Sequence, residues 1–480
     1  MKKNKSLNLL GKSAVFTGMT ILQKGIAFFL VPLYTHILSP NEYGIANLVN
    51  SVAAIYILIS SFALDDAMAR YYFEFRGDKN KLKITVATIT FASLTINIIT
   101  FSILLIGNKV LIMPFVNDIK FYPYVLLSLI PVLCSSVYGL MQKILIIEGN
   151  AWHYSLNSLI FFITNTSLCI LFIVHIKIGV LGLLLASAIT YGIYFIYSLL
   201  YLTTKMSFSL DKQIFVTSMK YGMILLPNRV ASWGMGGINK VLIGNKMSIY
   251  SLGIYNVATT FSSLMIIFSN SLSLSLQPWI YNKLEKMNEG QNDINRVINI
   301  LAALFCIVGF TISLFCKEIF ILLINSRYHD AINIMPTLLL GTTASAYSVL
   351  FVNVLFYYTD YTKYIAYSTI IGAIINIAIC LIFVPLYGAL GACMAISLSE
   401  ITTCLYKMYY AIKAVNQKFM WSKMYYFLFI NFIISQISII IDIDFMTKLI
   451  TYVISNIIYI LSIKNDLIYF KNIYFINNKK

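Results

Sequence analysis

The chain has 480 residues, of which 59% are hydrophobic and 11% charged; its mean hydropathy is +0.81 and its formal net charge +17. A soluble protein keeps about a quarter of its residues charged, so the composition excludes a soluble globular enzyme and predicts an all-α polytopic membrane protein. The positive balance does not indicate a nucleic-acid partner, because the basic residues lie mostly between apolar runs instead of forming a patch.

Apolar runs near the ~20 residues that a helix needs to cross a bilayer recur along the whole chain. About fourteen transmembrane helices are predicted: Ser13 to Leu38, Gly44 to Leu64, Ile84 to Gly107, Tyr124 to Ile147, Tyr154 to Ile176, Val180 to Leu202, Tyr221 to Ile243, Leu252 to Tyr281, Val297 to Phe315, Ala331 to Tyr357, Tyr364 to Val384, Ala389 to Ala411, Trp421 to Ile441 and Phe445 to Ile463. The first span carries Lys24 about eleven residues in, roughly 16 Å deep at ~1.5 Å per residue. An ammonium at that depth costs at least ~2.5 kcal/mol, so it should face water or a partner. Ser13, Thr17, Thr20 and Lys24 share one helical face, and Pro32 should bend the helix.

With the N-terminus placed in the cytoplasm, 25 of the 35 basic residues fall on cytoplasmic segments and 8 on outward ones, leaving Lys24 and Arg229 inside spans. This bias predicts that both termini are cytoplasmic. The first apolar run is too long for a signal peptide and no A-x-A-like site follows it. All seven cysteines lie in or at the ends of apolar segments without a C-x-x-C pair, and the four histidines show no ligand spacing, so neither a disulfide framework nor a metal site is expected.

An internal repeat appears at an offset of 209 residues. Gly44, Ile45 and Asn47 fall on Gly253, Ile254 and Asn256, and Gly179, Leu181, Gly182 and Ala186 fall on Gly388, Leu390, Gly391 and Ala395. Six spans separate equivalent points, so both halves face the same way and should be related by an axis along the membrane normal. The predicted organisation is two pseudo-symmetric six-helix lobes around a central cavity, residues 1–205 and 206–415, plus two C-terminal helices and a tail in 416–480.

The seventh span resembles the first, with Arg229 at similar depth and with Pro227, Gly234, Gly236 and Gly237 to loosen it. Arg229, Trp233, Gly236 and Lys240 share a face. Lys24, Arg229 and Lys240 lining one cavity would favour an anionic substrate, phosphate above all. The plainer reading pairs Lys24 and Arg229 with carboxylates such as Glu400 and lets Lys240 snorkel to the surface. Glu400, near the centre of the twelfth span, is either that static partner or a group exchanging a coupling proton. Asn47, Asn50, Asn256, Thr260, Ser263 and Asn270 suit sugar hydroxyls, and equally suit helix packing. Asp65, Asp66 and Arg70 close span two, where interfacial anchoring is the default. Gly11-Lys12-Ser13 lacks the earlier glycine and the strand of a phosphate-binding loop, so no ATPase is encoded; Asn165-Thr166-Ser167 lies within span five, out of reach of glycosylation.

Leu38-Ser39-Pro40-Asn41-Glu42-Tyr43-Gly44, Asp65-Asp66-Ala67-Met68-Ala69-Arg70, and the copies Gly179-Val180-Leu181-Gly182 and Gly388-Ala389-Leu390-Gly391 resemble Wzx-type polysaccharide-unit flippases. These belong to the multidrug, oligosaccharidyl-lipid and polysaccharide (MOP) exporter superfamily, and the resemblance extends over essentially the whole chain. It implies a bacterial inner-membrane carrier of undecaprenyl-pyrophosphate-linked oligosaccharide for O-antigen or capsule assembly, with no cofactor, alternating access, and a cationic cavity to which Lys24 and Arg229 would correspond. It also implies coupling to a proton or sodium gradient and partnership with a polysaccharide polymerase and a chain-length regulator. Asp66 stands where that family often has glycine, so no role is carried onto Asp65 or Asp66. A cation-coupled multidrug-type antiporter would want acidic cavity residues, and a membrane-embedded polymerase or glycosyltransferase a large outer loop; neither pattern is present.

Overall fold

The computed structural model describes residues 25, 28–116, 119–285, 290–415 and 422–469. Among the described residues there are helices and no strand. Eleven helices are long and apolar enough to cross a membrane: Pro40–Glu74, Lys79–Ile106, Phe121–Ile147, Ala151–His175, Val180–Thr203, Ile249–Glu285, Asp293–Leu314, Ala331–Tyr357, Thr359–Tyr387, Ala389–Val415 and Phe445–Ser462. The shorter Phe28–Ile37 and Tyr426–Ile440 and the broken pair Lys212–Gly234 and Gly237–Lys246 match the first, thirteenth and seventh expected spans. About fourteen helices are therefore present. Large apolar side chains such as Ile98, Ile103, Ile106, Leu381 and Ile382 are exposed on the helices, an arrangement suited to hydrocarbon and unsuited to water. The chain is a multi-pass membrane protein.

Two compact units result, Met1–Gly253 and Ile254–Lys480. In the first, Leu64, Met68, Ile89, Val137, Ile144 and Leu202 form a core that joins spans two, three, four and six. In the second, Phe305, Tyr347, Phe351, Val354 and Cys404 join spans nine, ten and twelve.

Backbone geometry makes the repeat explicit. Gly179 and Gly388 each precede a helix in a conformation that only glycine adopts freely, φ 57°, ψ −133° and φ 59°, ψ −134°. The start of span two is equally specified: Ser39 and Glu42 form a reciprocal capping box around Pro40, the Glu42 carboxylate accepting the Ser39 amide at 2.9 Å. A Cβ at Gly44 would lie 2.1 Å from the Ile249 carbonyl oxygen, and one at Gly253 would lie 2.0 Å from that of Pro40. Pro40 and Ile249 are themselves equivalent at the 209-residue offset, so the first turns of spans two and eight cross through a reciprocal pair of contacts.

Span two does not run through as one helix. Pro40–Ser61 ends where Phe62 (φ 48°) and Ala63 (φ 50°) turn left-handed, and Leu64–Glu74 begins a second helix. Two consecutive left-handed non-glycine residues cost about 1–2 kcal/mol each, so neighbouring structure must hold the break. Gly222 of span seven packs there, so closely that a Cβ would sit 2.1 Å from the Phe62 carbonyl oxygen.

Candidate functional site

The break in span two puts Asp65 and Asp66 in the first turn of the helix Leu64–Glu74, where the exposed amides and the helix dipole favour negative charge. Span seven supplies the counter-charge. It carries Pro227 within the helix Lys212–Gly234 and restarts at Gly237. Gly237 is required there, because a Cβ would fall 2.2 Å from the Trp233 indole nitrogen, which donates to the Ser51 carbonyl at 3.1 Å. With the helix anchored in this way, the Arg229 guanidinium donates to the Asp65 carboxylate at 2.9 Å and to Asp66 at 2.5 Å. Lys143, from span four, donates to Asp66 at 2.8 Å and lies 3.9 Å from Asp65.

Two cations and two carboxylates thus make a cluster with no net charge. Its side chains are 24–32% exposed. Beside it lies a cavity of about 160 Å³ lined by Asp65, Arg229, Ser61, Ser93, Ser135, Ser136 and apolar residues. Ser93 donates to Ser136 at 3.2 Å and the fully buried Asn97 also donates to Ser136, while the Ser135 hydroxyl is buried without a partner among the described residues.

The remaining predicted residues are distributed as follows. Lys24, with Ser13, Thr17 and Thr20, lies outside the described residues. Lys240 is half-buried on the helix Gly237–Lys246 and has no ion-pair partner among the described residues. Glu400 is half-buried on Ala389–Val415, contacted by the hydroxyls of Thr403 (3.4 Å) and Ser345, with no cation within ion-pair distance among the described residues. Lys407, two turns along, donates instead to Ser348 at 3.3 Å. Asn47 donates to the Tyr43 carbonyl of its own helix at 2.8 Å, Asn50 and Asn270 are exposed, and Asn256 is 2% exposed. The hydroxyls of Thr260 and Ser263 bond back to the carbonyls of Asn256 and Thr260.

Sequence reasoning did not anticipate that Arg229 would be satisfied by Asp65 and Asp66, or that Lys143 would join them. The available signal was the Asp-Asp pair itself, since two adjacent carboxylates after an apolar span require counter-charge.

The profile of a family described as polysaccharide biosynthesis protein matches residues 9–284. Lsg locus protein 1 from Haemophilus influenzae is 20% identical over 372 residues, covering 76% of this chain and 89% of that protein. Among solved structures, the chain is similar to the lipid II flippase MurJ in an inward closed conformation, with TM-score 0.73, 16% identity and coverage of 94% of this chain and 99% of that one. It is also similar to an inward-facing multidrug resistance MATE family transporter of the MOP superfamily, with TM-score 0.65, 14% identity and coverage of 82% and 94%. At these identities the structural likeness shows the fold.

Proposed function

Because the chain belongs to the polysaccharide biosynthesis protein family, we propose that it is a flippase, a transporter and not an enzyme, moving undecaprenyl-pyrophosphate-linked oligosaccharide units across the bacterial inner membrane by alternating access. The observation that carries this reading is Lys240, a half-buried cation on a broken span with no ion-pair partner among the described residues. Such a group is costly in a membrane and is retained where an anion visits. Arg229, and Lys24 on the first span, are the further phosphate-binding cations, with the amides of Asn47, Asn50 and Asn256 meeting sugar hydroxyls. Glu400, held by hydroxyls instead of a cation, is the group that couples transport to a proton or sodium gradient. A polysaccharide polymerase and a chain-length regulator consume the product on the far side, and both termini lie in the cytoplasm.

Deleting the gene tests the reading. One surface polysaccharide should disappear while its lipid-linked repeat unit accumulates on the cytoplasmic leaflet, measured by protease-independent lectin access in inverted vesicles. Unchanged surface polysaccharide together with heightened sensitivity to cationic drugs would instead assign the chain to drug antiport.

A further inference from the structure

We propose that Asp65 and Asp66 are built-in counter-ions which occupy Arg229 and Lys143 in the empty carrier and yield them to the phosphates of the cargo, so that cargo binding releases the strained break at Phe62 and Ala63. The inference rests on the anionic cargo assigned above and adds how that cargo is sensed.

The guanidinium fork that takes a carboxylate takes a phosphate by the same bidentate geometry. Here it is already filled, at 2.9 and 2.5 Å. With two charges of each sign, the cluster offers an anion no net attraction until the carboxylates move aside. They can be reached. All four side chains are 24–32% exposed, in contrast to the pair Lys448–Glu318, whose lysine is 1% exposed. The adjoining cavity of about 160 Å³ is roomy enough to hold water. The Ser135 hydroxyl on its wall is a buried donor without a partner among the described residues, which a phosphate oxygen would satisfy.

The carboxylates also sit where their release has a mechanical consequence. They follow directly on the two left-handed residues, and the ties reach that segment from span seven through Arg229 and Gly222 and from span four through Lys143. Strained backbone persists only where its surroundings over-determine it. An anion that takes the two cations removes part of that restraint, which links occupancy of the site to the conformation of span two as a coupling between two discrete states.

The test uses the full-length protein in lipid nanodiscs with radiolabelled inorganic pyrophosphate. The double variant D65N/D66N should bind pyrophosphate roughly tenfold more tightly than the wild type, since the competing charges are gone, whereas D65E/D66E should bind as the wild type does and R229Q should lose binding. Arg229-dependent binding that the double carboxamide leaves unchanged or weakens overturns this inference alone and makes the cluster purely structural. Binding that does not depend on Arg229 likewise overturns this inference alone, and absence of any pyrophosphate binding by the wild type and the double carboxamide overturns the anionic-cargo reading as well. A measurement free of variants guards against misfolding of the carboxamide: saturating pyrophosphate should speed hydrogen exchange in residues 62–68 of the wild type, and exchange that stays the same or slows there defeats the release of the break.

Discussion

Arg229 and Lys240 are both basic residues on one broken span, yet their surroundings ask different things of them. Arg229 completes a four-charge cluster, so Arg229→Ala strips Asp65 and Asp66 of their closest cation and should cost about 1–3 kcal/mol of stability in addition to any effect on transport. Lys240 makes no ion pair among the described residues. Lys240→Ala should therefore leave the melting temperature of the purified protein unchanged or slightly raised, because a half-buried charge without a partner is a burden on the fold. Surface polysaccharide per cell, at matched protein level, should nevertheless fall at least tenfold, and Lys240→Arg should restore part of it. Wild-type export by Lys240→Ala would remove this residue from the cargo's path. A cation retained against stability is the pattern that separates a binding group from an anchor, and it is why Lys240 carries more of the functional argument than the better-connected Arg229.

At the level of helices, the last span is tied to the rest of the second unit at both of its ends. Near one end Lys448, 1% exposed, donates to Glu318 at 2.8 Å, and Lys317 pairs with Asp442. Near the other, Asp466 accepts from Asn299 at 3.2 Å and lies 3.9 Å from Arg296, while the Tyr469 hydroxyl donates to Asp293 at 2.6 Å. The Lys317–Asp442 pair holds the Asp442 carboxyl below the usual carboxylate range. Glu318→Gln should destabilise the protein by about 3 kcal/mol, since it leaves Lys448 buried without its carboxylate. Adding Lys448→Met should recover much of that loss, so thermal melts of the two single variants and the double form a cycle with a large interaction energy. Equal melting of Glu318→Gln and wild type would show that Lys448 is solvated by other means. These ties were not legible in the sequence, where Lys448 counts as one more outward basic residue. Its partner is 130 residues away, and neither hydropathy nor helical period carries information at that separation. The spans were legible because burial in lipid imposes a length and composition on every one of them. The seventh does not meet that criterion as one helix, broken between Gly234 and Gly237 by the glycines that marked it as unusual.

Across the whole chain the repeat was readable for a physical reason: the letters that survive between the halves include glycines at which a side chain does not fit. Apolar positions drift freely because any large hydrocarbon satisfies lipid or core, whereas Gly179 and Gly388 share a backbone conformation closed to other residues. The charges did not duplicate in the same way. Arg229, Asp65 and Asp66 are paired within one unit, and position 400 in the second unit corresponds to Tyr191 in the first. The glycine positions therefore repeat and the charges do not. This difference yields a prediction about Gly44 and Gly253. Each would drive a Cβ to 2.1 or 2.0 Å from a backbone carbonyl oxygen of the other's helix turn, and backbone on both sides leaves no flexible side chain to yield. Gly44→Ala and Gly253→Ala should each destabilise by about 1–3 kcal/mol, the range for overpacking. The two losses should be nearly equal, and the double variant should lose less than their sum, because a separation of the two turns forced by one methyl already admits the other. Melting temperatures of the three purified variants decide it, and a strongly unequal pair of single effects would mean that the crossing is symmetric in sequence but not in its energetics.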